Sequence, residues 1–129
     1  MANDVAGDEG PENVGASSTL SEIQRAQVER LLRPLCAVPP HVAAQLRKDL
    51  RFAGASVILF ESRPRFDAPK DWMDHPVAKF VYVERAKAWR LFCQMSDLRW
   101  HSYAPLPEAP ELERLVSEVA RDPTGIFWG

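Results

Sequence analysis

The chain has 129 residues, 46% of them hydrophobic and 26% charged, which is the size and composition of one globular domain. Its formal net charge is −2, so the chain as a whole lacks the positive charge typical of nucleic-acid-binding proteins. Two cysteines are too few for a disulfide scaffold, and no apolar stretch reaches the roughly 20 residues that span a bilayer. We therefore expect a small soluble domain in the reducing cytoplasm, without a cofactor and without membrane contact.

The N-terminal segment differs most from the rest of the chain. Its four acidic residues are Asp4, Asp8, Glu9 and Glu12. It contains no lysine, arginine or aromatic residue, so it cannot bury enough apolar surface to offset the entropy lost on ordering. We predict a disordered acidic tail over residues 1–19 and a single folded domain over residues 20–129. The tail is either a solvated segment without a role or a regulatory segment that shields a basic face.

Two helices are predicted at the start of the folded domain. Residues 21–35 carry apolar side chains at helical spacing. Both Ser21 and Thr19 are followed three residues later by Gln or Glu, which is the pattern of a capping box. Pro40 suits the first turn of a second helix, which we predict over residues 40–49.

The hydrophobic period then changes from 3.6 to 2, which indicates β-strands. Four strands are predicted, over residues 55–63, 77–84, 88–95 and 98–103. Residues 64–76 contain three prolines and three aspartates, which predicts a long loop. A last helix is predicted over residues 109–121. The order α-α-β-β-β-β-α indicates an α+β fold in which helices pack on one face of a four-stranded antiparallel sheet.

The predicted long loop contains a cluster of candidate metal ligands. These are Asp67, Asp71, Asp74 and His75. Their spacing does not match a calcium-binding loop, and the glycine that such a loop uses is missing. We therefore expect a solvated loop and no metal site.

The last two predicted strands present a mixed surface. If Ser96 and Asp97 form a two-residue turn, Trp89 and Trp100 lie on the apolar face of the sheet, which we assign to the core. The other face then presents Arg90, Phe92, Arg99, His101 and Tyr103. Cations and aromatic rings together are typical of surfaces that bind single-stranded nucleic acid, because bases stack on rings and cations contact phosphates. The same residue types are also expected on a solvated sheet face.

Two functional hypotheses follow from this surface. The first is a non-enzymatic binding module whose partner is a protein or a nucleic acid. Its binding residues would be Arg63, Arg90, Phe92, Arg99, His101 and Tyr103. The alternative is a small ribonuclease-like enzyme that acts on phosphodiesters, with His101 or Glu61 as the acid/base. Glu61 and Arg63 share a face of the first predicted strand, where they either orient a substrate or form a structural pair.

The C-terminal Phe127-Trp128 pair is costly to leave in water. It either docks back onto the domain or inserts into a partner subunit, for example across a homodimer.

Three segments carry a family resemblance. They are WRLF at residues 89–92, DLRWHSY at residues 97–103 and DPTGIFWG at residues 122–129. With the ESRP segment at residues 61–64, they resemble a bacterial family, domain of unknown function 3024. The resemblance covers most of residues 21–129. It implies a cytoplasmic single-domain protein, and it brings no established activity, cofactor or catalytic residue.

Overall fold

The computed structural model describes residues 19–129, so all but the last residue of the predicted tail lies outside the described residues. The helices of the described chain are α1 (Glu22–Leu32) and α2 (Leu112–Arg121). The strands are β1 (Arg47–Ala53), β2 (Ser56–Pro64), β3 (Trp72–Val83), β4 (Ala88–Gln94), β5 (Trp100–Ser102) and β6 (Glu108–Ala109). All pairings are antiparallel, in the order β1-β2-β3-β4-β5, with β6 also paired to β4. The predicted α+β class is confirmed, with six strands in this part of the chain instead of four.

Helix α1 begins as the sequence predicts. The hydroxyl of Ser21 accepts a hydrogen bond from the backbone N–H of Gln24, at 3.1 Å. The Gln24 side chain accepts one in return from the Ser21 N–H, at 2.9 Å. This capping box satisfies two donors that a helix start would otherwise leave without partners. The helix ends in a 3-10 turn over Arg33–Cys36.

The predicted helix over residues 40–49 is wrong. Only Pro40–Val42 form a helical turn, of the 3-10 type, and β1 begins at Arg47. The apolar spacing from Leu46 to Leu50 is four residues, which fits a helix and also two strand repeats. Pairing with β2 along all seven residues of β1 decides in favour of the strand.

The predicted loop over residues 64–76 is too long, because β3 begins already at Trp72. Proline within a strand argues against the strand, since it cannot donate to the ladder. Here Pro76 lies beside a bulge: Phe60 pairs with Pro76 and Leu59 with Ala78, so Val77 is an extra residue. The bulge accommodates the proline inside a strand of twelve residues.

The turn between β4 and β5 also differs from the prediction. The Leu98 N–H donates to the Met95 carbonyl at 2.8 Å, and Leu98 adopts a left-handed conformation with φ 63°. The connection is therefore one residue longer, and Cys93 pairs with His101 instead of Trp100. A shift of one residue turns every side chain of a strand to the opposite face.

This shift overturns three sequence-based assignments. The sequence assigns Trp100 to the core, but Trp100 lies half-buried opposite Gln94, on the other face of the sheet. The sequence places His101 on the face opposite the core, but His101 pairs with the core residue Cys93 and projects from the face that the helices cover. Tyr103 was assigned to the solvated face but is 2% exposed in the core. Its hydroxyl donates to the carboxylate of Glu118 on α2, at 2.7 Å. Burial and the neighbouring carboxylate both raise the pKa of Tyr103.

Both helices pack against one face of the sheet. Their fully buried side chains are Val28, Leu32, Leu112, Leu115 and Val119. They meet Val57, Leu59, Phe80, Trp89 and Leu91, which occupy alternate positions of three strands. Trp89 is in the core, as predicted. None of the helices in residues 19–129 is long and apolar enough to cross a membrane.

The C-terminal residues dock onto the chain's own helix α2. Asp122 ends α2 in a left-handed conformation, and its carboxylate accepts hydrogen bonds from the backbone N–H groups of Phe127 and Trp128 at 3.1 and 2.8 Å. The indole N–H of Trp128 donates to the Val119 carbonyl at 2.9 Å, where the helix leaves carbonyls without partners. Phe127 is 6% exposed and packs against Tyr103, with ring centres 4.9 Å apart.

Strain in the β4–β5 turn yields a first prediction. Replacing Leu98, which is exposed and has positive φ, with glycine removes the clash of its Cβ. We expect Leu98→Gly to raise the free energy of unfolding by up to about 1 kcal/mol in urea denaturation. The control is Ser96→Gly in the same turn, which lacks positive φ and should lower it. Equal effects of both substitutions would contradict this account.

A second prediction concerns the indole of Trp128. Trp128→Phe keeps a ring in place but removes the donor to the Val119 carbonyl. We expect a loss of about 1 kcal/mol in the free energy of unfolding. The control is Trp100→Phe on the other face, for which we expect a loss of less than about 0.5 kcal/mol. Thermal or urea unfolding measures both, and a larger loss for Trp100→Phe would refute the role of the indole N–H.

Candidate functional site on the open sheet face

The sheet has a second face, opposite the helices, which we call the open face. Antiparallel pairing places Arg51, Ile58, Lys79 and Phe92 in one row across β1 to β4. Directly paired side chains project from the same face of a sheet. Neither α1 nor α2 packs on this face, and its aromatic rings are half-buried. Those rings belong to Phe60, Trp72, Phe92 and Trp100.

Three cations of the open face lie over aromatic rings. The Arg47 guanidinium carbon is 3.7 Å from the ring centre of Trp72. The Arg51 guanidinium carbon lies 4.5 Å from the ring centre of Phe60. The Lys79 ammonium nitrogen lies farther from its ring, 6.0 Å from the ring centre of Trp100. Such pairs gain energy from the attraction between a cation and the negative face of a ring, and each places positive charge beside a flat apolar surface.

A carboxylate on β3 holds one of these cations in place. Asp74 binds Arg51 through a guanidinium nitrogen at 2.6 Å, and its other oxygen accepts a hydrogen bond from the hydroxyl of Ser62. The Ser62 hydroxyl and, next, the Arg51 guanidinium lower the pKa of Asp74. Arg51 is therefore oriented over Phe60 by an acceptor that stays ionised at neutral pH.

The open face keeps an excess of positive charge. Arg47, Arg51, Lys79 and Arg90 are its four cations. Its carboxylates are Asp49, Asp74 and Glu108, and Glu108 binds Arg90 at 3.1 Å. Asp49 binds Arg33 at 2.7 Å, but that guanidinium also binds Glu29 at 2.9 Å, so Asp49 counts against the cations of the face. The formal charge of the face is thus about +1, counting four cations against three carboxylates.

The six binding residues predicted from sequence are not brought together. Arg90 and Phe92 lie on the open face, as expected from alternation along β4. Tyr103 is in the core, and His101 pairs with Cys93, so it projects from the face that the helices cover. Arg99 lies in the exposed turn before β5, and Arg63 lies near the far end of β2, where it pairs with Glu61 at 3.4 Å.

The two candidate acid/base residues also lie apart. His101 is on β5 and Glu61 on β2, so three strand spacings, about 14 Å, separate their strands. The Nε2 atom of His101 lies 2.9 and 3.1 Å from the carboxylate oxygens of Asp97. The backbone N–H of Arg99 and, next, the His101 ring lower the pKa of Asp97. This contact ties the β4–β5 turn to β5 and leaves His101 far from Glu61.

The acidic residues of the β2–β3 hairpin do not form a cluster. Asp67 pairs with Arg65 and Asp74 with Arg51. Over residues 19–129, no group of three His, Cys, Asp or Glu side chains is close enough to hold a metal ion.

Sequence reasoning missed most of the open face. The sequence predicts a helix where Arg47 and Arg51 lie and a loop where Trp72 lies, so it does not place these residues on a sheet face. The signal was present in the segment RKDLRFA, residues 47–53, where Arg47, Asp49 and Arg51 alternate with Leu50 and Phe52.

The lowered pKa of Asp74 yields a third prediction. Its ionised form is favoured by folding, so it stabilises the fold at neutral pH. This contribution is lost as the pH falls below the ordinary value of 3.8 through the lowered one. We expect Asp74→Asn to reduce the free energy of unfolding at pH 7 and to have progressively less effect towards pH 2.

Urea unfolding over this pH range measures the difference between the two proteins. The exposed neighbour Asp71 provides the control. A constant difference between wild type and Asp74→Asn, or the same pH profile for Asp71→Asn, would contradict the assignment.

The described domain coincides with a known family. No curated protein and no solved structure matches the chain significantly. A match to a protein family, described as Domain of unknown function (DUF3024), extends over residues 20–129. This range contains both helices, all six strands and the docked C-terminal residues. The chain therefore belongs to the DUF3024 family.

Proposed function

We propose that this protein is a non-enzymatic binding module whose open face binds single-stranded nucleic acid. The observation that carries the proposal is the set of three cations over aromatic rings on one sheet face: Arg47 over Trp72, Arg51 over Phe60 and Lys79 over Trp100. Bases stack on aromatic rings and on guanidinium planes, and cations contact the phosphates between the bases.

The shape of the surface favours binding over catalysis. The aromatic rings and cations are spread over neighbouring strands of an open sheet. An enzyme that cleaves phosphodiesters needs an acid and a base within reach of one phosphate. The predicted pair, His101 and Glu61, is separated by two intervening strands. The ribonuclease-like alternative therefore has less support than the binding module.

We also propose that the protein works in the cytoplasm. Cys36 and Cys93 are both free, and Cys93 is buried. Burial is the main cause that raises the pKa of each thiol, so both resist ionisation and oxidation. Free, protonated thiols suit a reducing compartment.

Salt dependence provides the fourth prediction and the main test. A labelled 20-nucleotide thymidine strand, titrated with the full chain, should bind at 50 mM salt. If three phosphates contact Arg47, Arg51 and Lys79, affinity should fall about 20-fold between 50 and 200 mM salt, from a slope of about −0.7 per phosphate. Fluorescence anisotropy measures this slope directly. Absence of binding at 50 mM salt would refute the proposal and leave a protein partner or a homodimer to be tested.

Variants separate the two parts of the surface. The double variant Arg47→Gln/Lys79→Gln should make the salt slope shallower by about 1.4, since two phosphate contacts are lost. Trp100→Ala should weaken binding roughly 10-fold at each salt concentration and leave the slope unchanged, because it removes a stacking surface. The control is Arg114→Gln, an exposed cation on α2 and away from the open face. Equal weakening by the control would show that binding is not localised on the open face.

A further inference from the structure

We propose that the acidic N-terminal segment, residues 4–12, docks on the open face of its own chain and competes there with an anionic ligand. The competition rests on the proposed function, whereas the docking does not.

Charge separates the segment from the domain. The segment carries Asp4, Asp8, Glu9 and Glu12, and all 16 lysines and arginines of the chain lie after residue 19. The open face supplies Arg47, Arg51, Lys79 and Arg90 against three carboxylates, so it keeps a net positive charge. Because both charged groups belong to one chain, the segment is present at a high effective concentration near the face. Several ion pairs that are individually weak can then hold it there together.

The described chain begins beside β1, the edge strand that carries Arg47 and Arg51. Leu20 is 6% exposed in the core, and its N–H donates to the carbonyl of Gly54 at 3.2 Å. Gly54 lies in the turn between β1 and β2, three residues after Arg51. Strand β1 forms one edge of the sheet. The described chain therefore begins at one end of the strand that carries Arg47 and Arg51.

The length of the segment suits the distance. Glu12 precedes Leu20 by eight residues, which span up to about 28 Å when extended. The seven residues of β1 span about 24 Å. Carboxylates at residues 4–12 can thus reach any cation on β1, and those on the neighbouring strands lie within a further few spacings of about 5 Å.

The other face of the sheet has no comparable space. Helices α1 and α2 cover it, and their buried side chains pack against its apolar residues. The open face is therefore the surface that matches the segment in both charge and access.

Neutralising the segment in the full chain is the fifth prediction. The variant is Asp4→Asn/Asp8→Asn/Glu9→Gln/Glu12→Gln, compared with wild type by two-dimensional ¹⁵N–¹H NMR at 20 mM salt. We expect shifted signals for the backbone of Arg47, Arg51 and Lys79 and for the indoles of Trp72 and Trp100. The core indole of Trp89 should stay unchanged. At 500 mM salt the differences should vanish, because salt screens exposed charges.

Affinity for the labelled thymidine strand is the second measurement. Loss of the competing segment should tighten binding by about 10-fold at 50 mM salt and have no effect at 500 mM. The control variant is Glu22→Gln/Glu111→Gln/Glu113→Gln, which removes exposed charges elsewhere on the chain. It should leave both the open-face signals and the affinity close to those of wild type.

The outcomes separate the two proposals. Identical open-face signals in wild type and the neutralised variant would overturn the docking, and so would equal changes in the control variant. Shifted open-face signals without binding of the strand by either protein would support the docking and overturn the proposed function. Shifted signals with unchanged affinity would overturn the competition.

Discussion

The structure depends on one constraint: two helices cover only one face of a six-stranded sheet. Val57, Leu59, Phe80 and Leu91 point to the helices and are fully buried. Because side chains alternate along a strand, the residues between them must face the other way. Within residues 19–129 no helix packs on that second face, so Ile58, Phe60, Lys79 and Phe92 are only half-buried there.

On the open face, cationic side chains partly cover the aromatic rings. Arg47 and Arg51 each place an aliphatic stem and a planar head over an aromatic ring, which removes apolar surface from water while charge stays solvated. The network of Ser62 and Asp74 fixes Arg51 in this position. A surface arranged in this way offers guanidinium planes and positive charge to a ligand. The same side chains thus stabilise the fold and form the proposed binding surface.

The C-terminal segment, residues 122–129, stabilises the fold of its own chain. Asp122 needs a left-handed conformation to end α2, and its carboxylate then receives the N–H groups of Phe127 and Trp128. Gly125, with φ 76°, allows the chain to turn back. The indole of Trp128 caps a helix carbonyl, and Phe127 fills the core beside Tyr103. The DPTGIFWG motif at residues 122–129 is therefore explained by helix termination and core packing within one chain.

The sequence by itself determined the α+β class, both long helices, the capping box at Ser21 and the positions of β2 and β4, because these depend on local periodicity and caps. It did not determine β1, whose apolar spacing suits a helix equally well, or the bulge that admits Pro76 into β3. It placed Arg90 and Phe92 on the open face but missed Arg47, Trp72 and Trp100. Those residues come together only through strand order and register, and a turn with Leu98 in a left-handed conformation shifts β5 by one residue and exchanges the faces of Trp100 and Tyr103. Tertiary structure decided the site because register is set by pairing between distant segments, which local patterns do not encode.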